Sequence, residues 1–175
     1  MSRLQSSMIL GTGSNGPYVL INYDPLRLIY AYSTPSEIGR EAGGILIGSY
    51  RGPHVEIVSC TAPLKRDVRL KYSFDRRDAG HQKQALAAWR SSGGTLTFVG
   101  EWHTHPERFP TPSMIDRRTW AGIVSESQHP CIFLIQGISG LWCGMARKGS
   151  LSELSILNDR PDATALPLNG NSVNF

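Results

Sequence analysis

The chain has 175 residues, a length that suits one compact domain and leaves little room for two. Hydrophobic residues make up 40% of it and charged residues 18%, a composition that excludes a disordered chain. The formal net charge of +4 is too small to indicate nucleic-acid binding by itself. The three cysteines include no CxxC pair, so neither a disulfide framework nor a cysteine-based zinc site is expected.

The sequence carries no recognisable targeting or membrane signal. The first residues, "MSRLQSSMILGTGSNG", lack the long apolar run of a signal peptide. The apolar stretches elsewhere, such as "GGILIG" and "CIFLIQGI", have the length of single strands. We therefore expect a cytoplasmic protein without a membrane-spanning segment.

Apolar periodicity and turn residues divide the chain into interleaved strands and helices. In chain order, the expected elements are a strand at 18–23, a helix at 25–33, a β-hairpin turned by "RGP" within 41–63, a helix at 75–94, a strand at 95–103, a helix at 113–127, and strands at 131–138, 140–146 and 151–157. This interleaving predicts an α/β fold with a mixed β-sheet flanked by helices.

The predicted elements also indicate the extent of the domain and its core. We expect a single domain over residues 1–157 and a flexible tail over 158–175, where Pro, Asn and Asp are frequent. Trp89 and Trp120 lie on helix faces and are expected to pack against the sheet. Trp102 is expected to point into the core from the strand at 95–103.

Two histidines stand one residue apart where that strand ends. His103 and His105 occupy positions i and i+2 of an extended chain and point to the same face, so both imidazoles can reach one ion. A tetrahedral catalytic zinc site needs a third protein ligand and keeps its fourth position for water. Asp116 suits this role, because the intervening prolines turn the chain back and Asp116 falls in the first turn of the next helix.

A simpler interpretation of the same stretch is a turn with two exposed histidines and a helix-capping pair, Ser113-x-x-Asp116. A helix cap does not exclude metal ligation, so both interpretations can hold together. As the sole explanation, the cap leaves His103 and His105 without a role.

Metal-assisted cleavage of an amide also needs a group that takes a proton from water and delivers it to the leaving amine. Glu101 and Glu107 are near the histidines in sequence, but either can be an ordinary surface charge. Glu41 is the better candidate, because it stands just before the apolar strand "AGGILIG" and glutamate is rarely buried without a partner. The alternative interpretation of Glu41 is a solvated charge at the start of a strand.

These positions resemble the JAMM motif of the JAB1/MPN zinc metallopeptidases. Six residues separate the proline of the His103-x-His105-Pro run from Ser113, and two separate Ser113 from Asp116, as in that family. The resemblance implies that His103, His105 and Asp116 bind zinc. It also implies that Glu41 is the general base and acid and that Ser113 stabilises the oxyanion. The family fold, which is cytidine-deaminase-like, is a mixed sheet between helices.

The stretches "EAGGILIGSY", "YSFDRRDAGHQ" and "GEWHTHPERFPTPSMID" are similar to a narrower bacterial branch, the Mov34/MPN-type or integrative-and-conjugative-element proteins. Several members are the deconjugating peptidase of CBASS anti-phage operons. There, an activating/conjugating-enzyme fusion links the C-terminus of a cGAS-like nucleotidyltransferase to targets, and the JAMM enzyme cleaves that bond.

This resemblance implies a zinc-dependent isopeptidase that acts on the C-terminus of a conjugated nucleotidyltransferase or ubiquitin-like protein, in anti-phage defence. A deubiquitinase-like peptidase of another bacterial ubiquitin-like operon is the alternative that the same motif allows.

The zinc deaminases are a competing interpretation, because their signature is H-x-E followed by P-C-x-x-C. His105-Pro106-Glu107 and Pro130-Cys131 fit that signature, but Leu134 stands where the second cysteine must be. The deaminase interpretation also leaves His103 and Asp116 unexplained.

A nucleic-acid-binding module is a further alternative, carried by the run "KRDVRLKYSFDRR" from Lys65 to Arg77. This run has six basic residues and two aromatic ones, but Asp67 and Asp75 dilute its charge. A solvated face or a substrate-docking surface is favoured, and nucleic acid is not expected as a partner. The role of His81, near the start of a predicted helix, is left open.

Overall fold

The structure is a computed structural model, and it describes residues 6–33 and 39–158. The strands in these ranges are β1 (Met8–Gly11), β2 (Tyr18–Ile21), β3 (Gly43–Arg51), β4 (His54–Cys60), β5 (Val68–Leu70), β6 (Ser73–Asp75), β7 (Thr97–Thr104), β8 (Cys131–Gln136), β9 (Leu141–Arg147), β10 (Ser150–Glu153) and β11 (Ser155–Asn158). The helices are α1 (Tyr23–Ala31), α2 (Gly80–Ser91) and α3 (Met114–Glu126). No helix of the described ranges is long and apolar enough to cross a membrane.

Nine strands form one sheet in the order β10-β9-β8-β7-β3-β4-β2-β1-β11, and β5 and β6 form a separate two-stranded sheet. β7 runs parallel to β8 and β2 runs parallel to β4, while the other neighbours in the large sheet are antiparallel. The predicted α/β fold with a mixed sheet is therefore confirmed.

The last described part of the chain differs from the single strand predicted at residues 151–157. It forms two strands, β10 at one edge of the sheet and β11 at the other, separated only by Leu154. Leu154 is 5% exposed, and its N–H donates to the Cys143 carbonyl at 2.9 Å. A sheet with this many strands accumulates enough twist to curl, so one short segment reaches both of its edges.

Strand β8 separates two apolar cores. All six of its residues are buried, and alternate side chains enter different clusters because successive residues of a strand point to opposite faces. Ile132 and Leu134 pack in the larger cluster, which includes residues of α1. Phe133 and Ile135 pack with Trp120 of α3 in the other cluster. The unbroken apolar run of β8 thus reflects burial on both faces.

The tryptophans test which faces of the predicted elements are buried. Trp102 and Trp120 are 1% and 4% exposed, so their predicted packing in the core is confirmed. Trp89 is 49% exposed, and the prediction that it packs against the sheet is wrong. Helix α2 buries His81 instead, and Leu86 is exposed together with Trp89. Leu86 and Trp89 line an open groove with Thr97 and Phe98 of β7, so the apolar stripe of α2 borders the sheet without being buried by it.

Some element boundaries also differ from the prediction. Helix α2 begins at Gly80, later than expected, because Asp75 still belongs to β6 and the N–H groups of Arg77 and Asp78 donate to the Asp67 carboxylate. Strands β1, β5 and β6 were not predicted. The tail expected over 158–175 lies outside the described residues except for Asn158, which ends β11. The division into a domain over 1–157 and a tail stays a prediction.

Glycine at the start of β3 allows a close approach between strands. A Cβ atom at Gly44 would overlap the backbone carbonyl of Thr61, which cannot rotate out of the way. That carbonyl accepts the indole N–H of Trp102 at 2.9 Å, in the buried centre of the sheet. Any side chain at position 44 would therefore push β3 away from Thr61, whose carbonyl is held close by the hydrogen bond from Trp102.

We expect Gly44→Ala to lower the free energy of unfolding by about 1 to 3 kcal/mol, the usual cost of an extra methyl group in a packed core. Gly122→Ala is the matched control, because Gly122 is exposed within α3 and an added Cβ would meet nothing within 4 Å. Helix propensity should make the control more stable by about 0.5 to 1 kcal/mol. Chemical denaturation measures both variants, and equal effects would contradict the close approach at Gly44.

Candidate metal centre

The end of β7 presents two imidazoles on one side of the sheet. His103 lies in β7, and the extended chain continues to His105, whose N–H donates to the Gln136 carbonyl at 3.0 Å. The two histidine side chains are 12% and 9% exposed. Thr104 lies between them on the opposite side, where its Oγ1 accepts the Ala42 N–H at 2.9 Å. The alternation of side chains expected from the sequence is therefore present.

Helix α3 brings Asp116 to the two histidines. Ser113 is the N-cap residue, and its Oγ accepts the Asp116 N–H at 3.1 Å while Asp116 Oδ2 accepts the Ser113 N–H at 2.6 Å. This capping box holds the carboxylate in place. Asp116 Oδ1 lies 3.3 Å from His103 Nε2, and Asp116 Oδ2 lies 3.4 Å from His105 Nε2. Both expectations for the Ser113–Asp116 pair, the cap and the approach to the histidines, are met in the structure.

His103, His105 and Asp116 form a group that could hold a metal ion. The Nε2 atoms of the histidines are 3.0 Å apart, and the ligand atoms of all three residues lie within 4.8 Å of one another. Two ligands at about 2.0 to 2.1 Å from a tetrahedral zinc ion are about 3.3 Å apart, which is close to the distances in this group. Imidazole and carboxylate are also donors that zinc takes in catalytic sites. The donor set and its spacing therefore fit a tetrahedral ion.

Negative charge accumulates around the two imidazoles. Burial alone would raise the pKa of Asp116, but hydrogen bonds from the imidazoles hold that pKa well below its ordinary value. Burial alone would lower the pKa of His105, yet Asp116, Glu41 and Glu107 together raise it above its ordinary value. Three carboxylates thus surround His105, and a cation among them is favoured electrostatically.

Glu41 is buried just before the start of β3. Glu41 is only 7% exposed, so its interpretation as a solvated charge is wrong. Burial is the main cause that raises the pKa of Glu41 to about 7, with Asp116 and Glu107 raising it and His105 lowering it. Glu41 is therefore a carboxyl group that can gain or lose a proton near neutral pH.

One cleft of about 880 Å³ is lined by all five predicted site residues, which are Glu41, His103, His105, Ser113 and Asp116. The two other glutamates considered from the sequence also line it. The Glu107 side chain is 54% exposed, with Oε2 3.8 Å from His105 Nδ1. Glu101 forms an ion pair with Arg76. Of the three carboxylates, Glu41 is the one that is both buried and close to the possible metal ligands.

The residues Lys65–Arg77, called the rim segment below, contain β5 and β6 and border the same cleft. Several of its cations are engaged within the protein: Arg76 with Glu101, Arg77 with Asp75, and Arg69 with the Glu41 carbonyl. These contacts reduce the positive charge of the rim segment that is available to bind nucleic acid. Its two aromatic residues, Tyr72 and Phe74, line the cleft. The basic face expected from the sequence is thus mainly a wall of the site. The alternation in "KYSFD" was the available signal for a strand there.

The deaminase interpretation is contradicted by the positions of its elements. β7 and β8 run parallel with His103 opposite Ile135, so Cys131 lies at the far end of β8 from the imidazoles. Leu134, where the second cysteine would stand, is completely buried in the core. The metal group is completed by Asp116 instead of by cysteine.

Comparison with known proteins agrees with this geometry. The family of prokaryotic homologues of the JAB domain, Prok-JAB, matches residues 25–148. A protein named CD-NTase/cGAS isopeptidase from Escherichia coli (strain TW11681) is 36% identical over 138 residues, which are 78% of this chain and 87% of that protein. A protein named Probable metalloprotease y4qB from Sinorhizobium fredii (strain NBRC 101917 / NGR234) is 28% identical over 131 residues, 71% of this chain and 80% of that protein.

The solution structure of protein DSY2949 from Desulfitobacterium hafniense has the same fold, with a TM-score of 0.55 at 18% identity over 76% of this chain and 87% of that one. The resemblance to the JAB1/MPN metallopeptidases, and to the bacterial branch within them, is confirmed by the family match and by the isopeptidase relative. The chain therefore belongs to the family of prokaryotic homologues of the JAB domain and is a deconjugating peptidase of the JAB type.

Proposed function

We propose that this enzyme is a zinc-dependent isopeptidase that cleaves the amide bond between the C-terminus of a conjugated protein and its acceptor. The observation that carries the proposal is the one cleft that buried Glu41 shares with His103, His105 and Asp116. Relatives named as an isopeptidase and as a probable metalloprotease support both the bond type and the use of a metal.

His103, His105 and Asp116 would hold the ion through the two Nε2 atoms and the carboxylate, the atoms that already lie close together. When bound, zinc supplies Lewis acidity that polarises a scissile carbonyl and lowers the pKa of a water molecule to about 7. The protein's own contribution is orientation. Strand β7 places the imidazoles, and the capping box at the start of α3 places the carboxylate.

Glu41 would carry the proton between the attacking water and the leaving amine. Its carboxylate takes a proton from water as the bond to the carbonyl carbon forms. The resulting carboxylic acid then gives this proton to the amine nitrogen of the acceptor lysine, which must be protonated to depart. Burial raises the pKa of Glu41 to about 7 in the absence of an ion, and a cation at the neighbouring ligands would lower it, which favours the carboxylate that accepts the proton of water.

Ser113 would stabilise the negative oxygen of the tetrahedral intermediate. Its Oγ accepts the Asp116 N–H at 3.1 Å, and this bond uses a lone pair and leaves the hydroxyl hydrogen free to be donated. A hydrogen bond donated to an oxyanion strengthens as the charge develops, so it acts on the transition state more than on the substrate. The cap and the catalytic role of Ser113 are therefore compatible.

The substrate of this reaction is a protein. We propose that the conjugated protein is a cGAS-like nucleotidyltransferase, the class of protein in the name of the isopeptidase relative, joined to its target by an activating/conjugating-enzyme fusion of a CBASS anti-phage system. A ubiquitin-like conjugate of another bacterial operon is the alternative. Nucleic acid has no part in the proposed reaction, and the cytoplasmic location expected from the sequence stays a prediction.

The wild-type enzyme should release a cGAS-like nucleotidyltransferase from a purified conjugate in which its C-terminal carboxyl is joined to a lysine of another protein. Glu41→Gln should lower kcat by about 10²- to 10⁴-fold, because the side-chain amide of glutamine cannot take a proton from water and deliver it to the leaving amine. It should keep its metal, since Glu41 is not among the ligands. Mass spectrometry of the released C-terminus and the freed lysine measures the cleavage.

Glu107→Gln is the matched control for this experiment, because Glu107 borders the same cleft but is more than half exposed. It should cleave at a rate close to that of the wild type. Release of only a ubiquitin-like conjugate would assign the alternative substrate. Cleavage of neither conjugate, or normal turnover by Glu41→Gln, would contradict the proposed function.

The purified protein should carry about one zinc ion per chain, and a double variant with His103→Ala and His105→Ala should lose nearly all of it. His129→Ala is the control, because His129 contacts the Tyr50 ring and does not line the cleft. Elemental analysis after gel filtration measures the metal. Full zinc retention by the double variant would exclude these residues as ligands.

Ser113→Gly should separate the two roles of Ser113. Glycine is nearly as good an N-cap as serine, so stability should fall by only a few tenths of a kcal/mol. Turnover should fall by about 10²- to 10³-fold, because glycine has no hydroxyl to donate. Ser113→Ala should lower turnover equally and stability by about 1 kcal/mol. Wild-type turnover in folded Ser113→Gly would leave Ser113 with the cap alone.

A further inference from the structure

A second group of polar side chains is buried behind the rim segment, away from the metal ligands. His81 Nδ1 lies 2.6 Å from Thr61 Oγ1, and His81 Nε2 lies 2.7 Å from Asp67 Oδ2. The side chains of His81 and Asp67 are 0% exposed, and Thr61 is 1% exposed. Thr61, Asp67 and His81 are called the buried triple below. Polar groups buried so deeply are costly unless all their hydrogen bonds are made.

One arrangement of protons satisfies the whole buried triple. Thr61 Oγ1 accepts the Ile45 N–H at 2.9 Å, so its own hydrogen is available to His81 Nδ1. The ring proton of His81 is then on Nε2 and is donated to the Asp67 carboxylate. The bonds therefore run in one direction, from Thr61 through the imidazole to Asp67.

The Thr61 end of the triple is anchored in the centre of the large sheet. The Thr61 N–H donates to the Ile45 carbonyl at 3.0 Å, and the Thr61 carbonyl accepts the Trp102 indole N–H at 2.9 Å. Gly44 provides the space for this approach. Thr61 is thus bonded to both β3 and β7, the two strands that lead to the catalytic cleft.

The Asp67 end of the triple closes the base of the rim segment. The Asp67 carboxylate accepts the backbone N–H groups of Leu64, Arg77 and Asp78 at 2.6, 2.9 and 2.9 Å. Burial alone would raise the pKa of Asp67, but these bonds and the one from His81 hold it below its ordinary value. An ionised carboxylate therefore ties together the two ends of the rim segment and, through His81, fastens them to the core.

The rim segment in turn holds the backbone on both sides of Glu41. The Leu70 carbonyl accepts the Glu41 N–H at 2.7 Å, and Arg69 Nε donates to the Glu41 carbonyl at 3.0 Å. The Arg69 guanidinium also lies over the Tyr32 ring, 5.3 Å from its centroid. The position of the Glu41 carboxyl group thus depends on a segment that is not part of the sheet carrying the metal ligands.

We propose that Thr61, Asp67 and His81 are positioning residues for peptide-bond cleavage, because they hold the rim segment against Glu41 and along the cleft. The inference rests on the proposed function, in which Glu41 carries the proton. The metal ligands are held by β7 and the capping box of α3, and Thr61 contacts β7 through its backbone carbonyl, which His81 does not use. Loss of the triple should therefore impair proton transfer and leave metal binding intact.

The test compares His81→Leu with the conservative variant His81→Gln. Leucine makes no hydrogen bond, whereas the glutamine amide can donate to Asp67 and accept from Thr61. We expect His81→Leu to keep about one zinc per chain, to exchange the Glu41, Leu64 and Arg77 amide hydrogens at least about tenfold faster, and to lower kcat by about 10- to 100-fold. His81→Gln should restore most of the slow exchange and of kcat.

Tyr50→Phe is the matched control, because it removes a partly buried hydrogen bond to the Pro130 carbonyl, at a place outside the rim segment and the cleft. It should lower the unfolding midpoint and leave kcat and the Glu41 exchange rate unchanged. If His81→Leu does not fold, Asp67→Asn replaces it, since asparagine keeps the shape and loses the charge. The proposal is overturned if His81→Leu, or Asp67→Asn in its place, exchanges these amide hydrogens faster but keeps the wild-type kcat. It is also overturned if both variants fold and neither exchanges them faster.

The exchange and zinc measurements do not need a substrate, so the two proposals can fail separately. A wild-type enzyme that cleaves no conjugate contradicts the proposed function whatever the exchange rates are. Cleavage by the wild type together with full kcat in His81→Leu, in spite of a loosened rim segment, contradicts only the positioning role.

Discussion

The paired bonds between Ala42 and Thr104 are the contact on which the rest of the site depends. The Thr104 N–H donates to the Ala42 carbonyl at 2.8 Å, and Thr104 Oγ1 accepts the Ala42 N–H at 2.9 Å. Thr104 stands between the two histidines, and its side chain points away from them because strand residues alternate. One face of this short stretch therefore carries the imidazoles, while the other fixes the residue next to Glu41. The end of β7 thus links the metal ligands directly to the backbone that carries Glu41.

The sequence was sufficient to predict the placement of those site residues whose positions depend on neighbouring residues in the chain. Strand alternation places His103 and His105 together, and the capping pattern places Asp116 at the start of a helix. The sequence also favoured Glu41, which stands just before an apolar strand, and the family resemblance added its role; what the sequence could not show is the packing that buries this residue. Strands β5 and β6 have three residues each, and the alternation in "KYSFD" is too short to distinguish a strand from a loop. The exposure of Trp89 was missed because helical spacing identifies a face without saying what covers it.

The start of α3 uses the same two residues for stability and for ligand geometry. Asp116 Oδ2 accepts the Ser113 N–H and also lies near His105, while Oδ1 lies near His103. A carboxylate that is bound at the helix end has few orientations left, so little freedom is lost when it binds an ion. The prolines of the preceding loop prevent regular structure there, and the helix consequently begins at the point where its first turn reaches the histidines.

The site is assembled from two supports, which adjoin along the paired strands β3 and β7. β7 and α3 carry the groups that fit a metal ion, whereas the start of β3 and the rim segment carry the buried carboxyl group. Burying Glu41 disfavours its charged form, and its raised pKa records that cost, which the hydrogen bonds of the rim segment and the packing around it must offset. A cation at the neighbouring ligands would favour the ionised form again. The position of Glu41 beside the ligands, and not its burial alone, is therefore what makes this carboxyl group suitable for moving a proton.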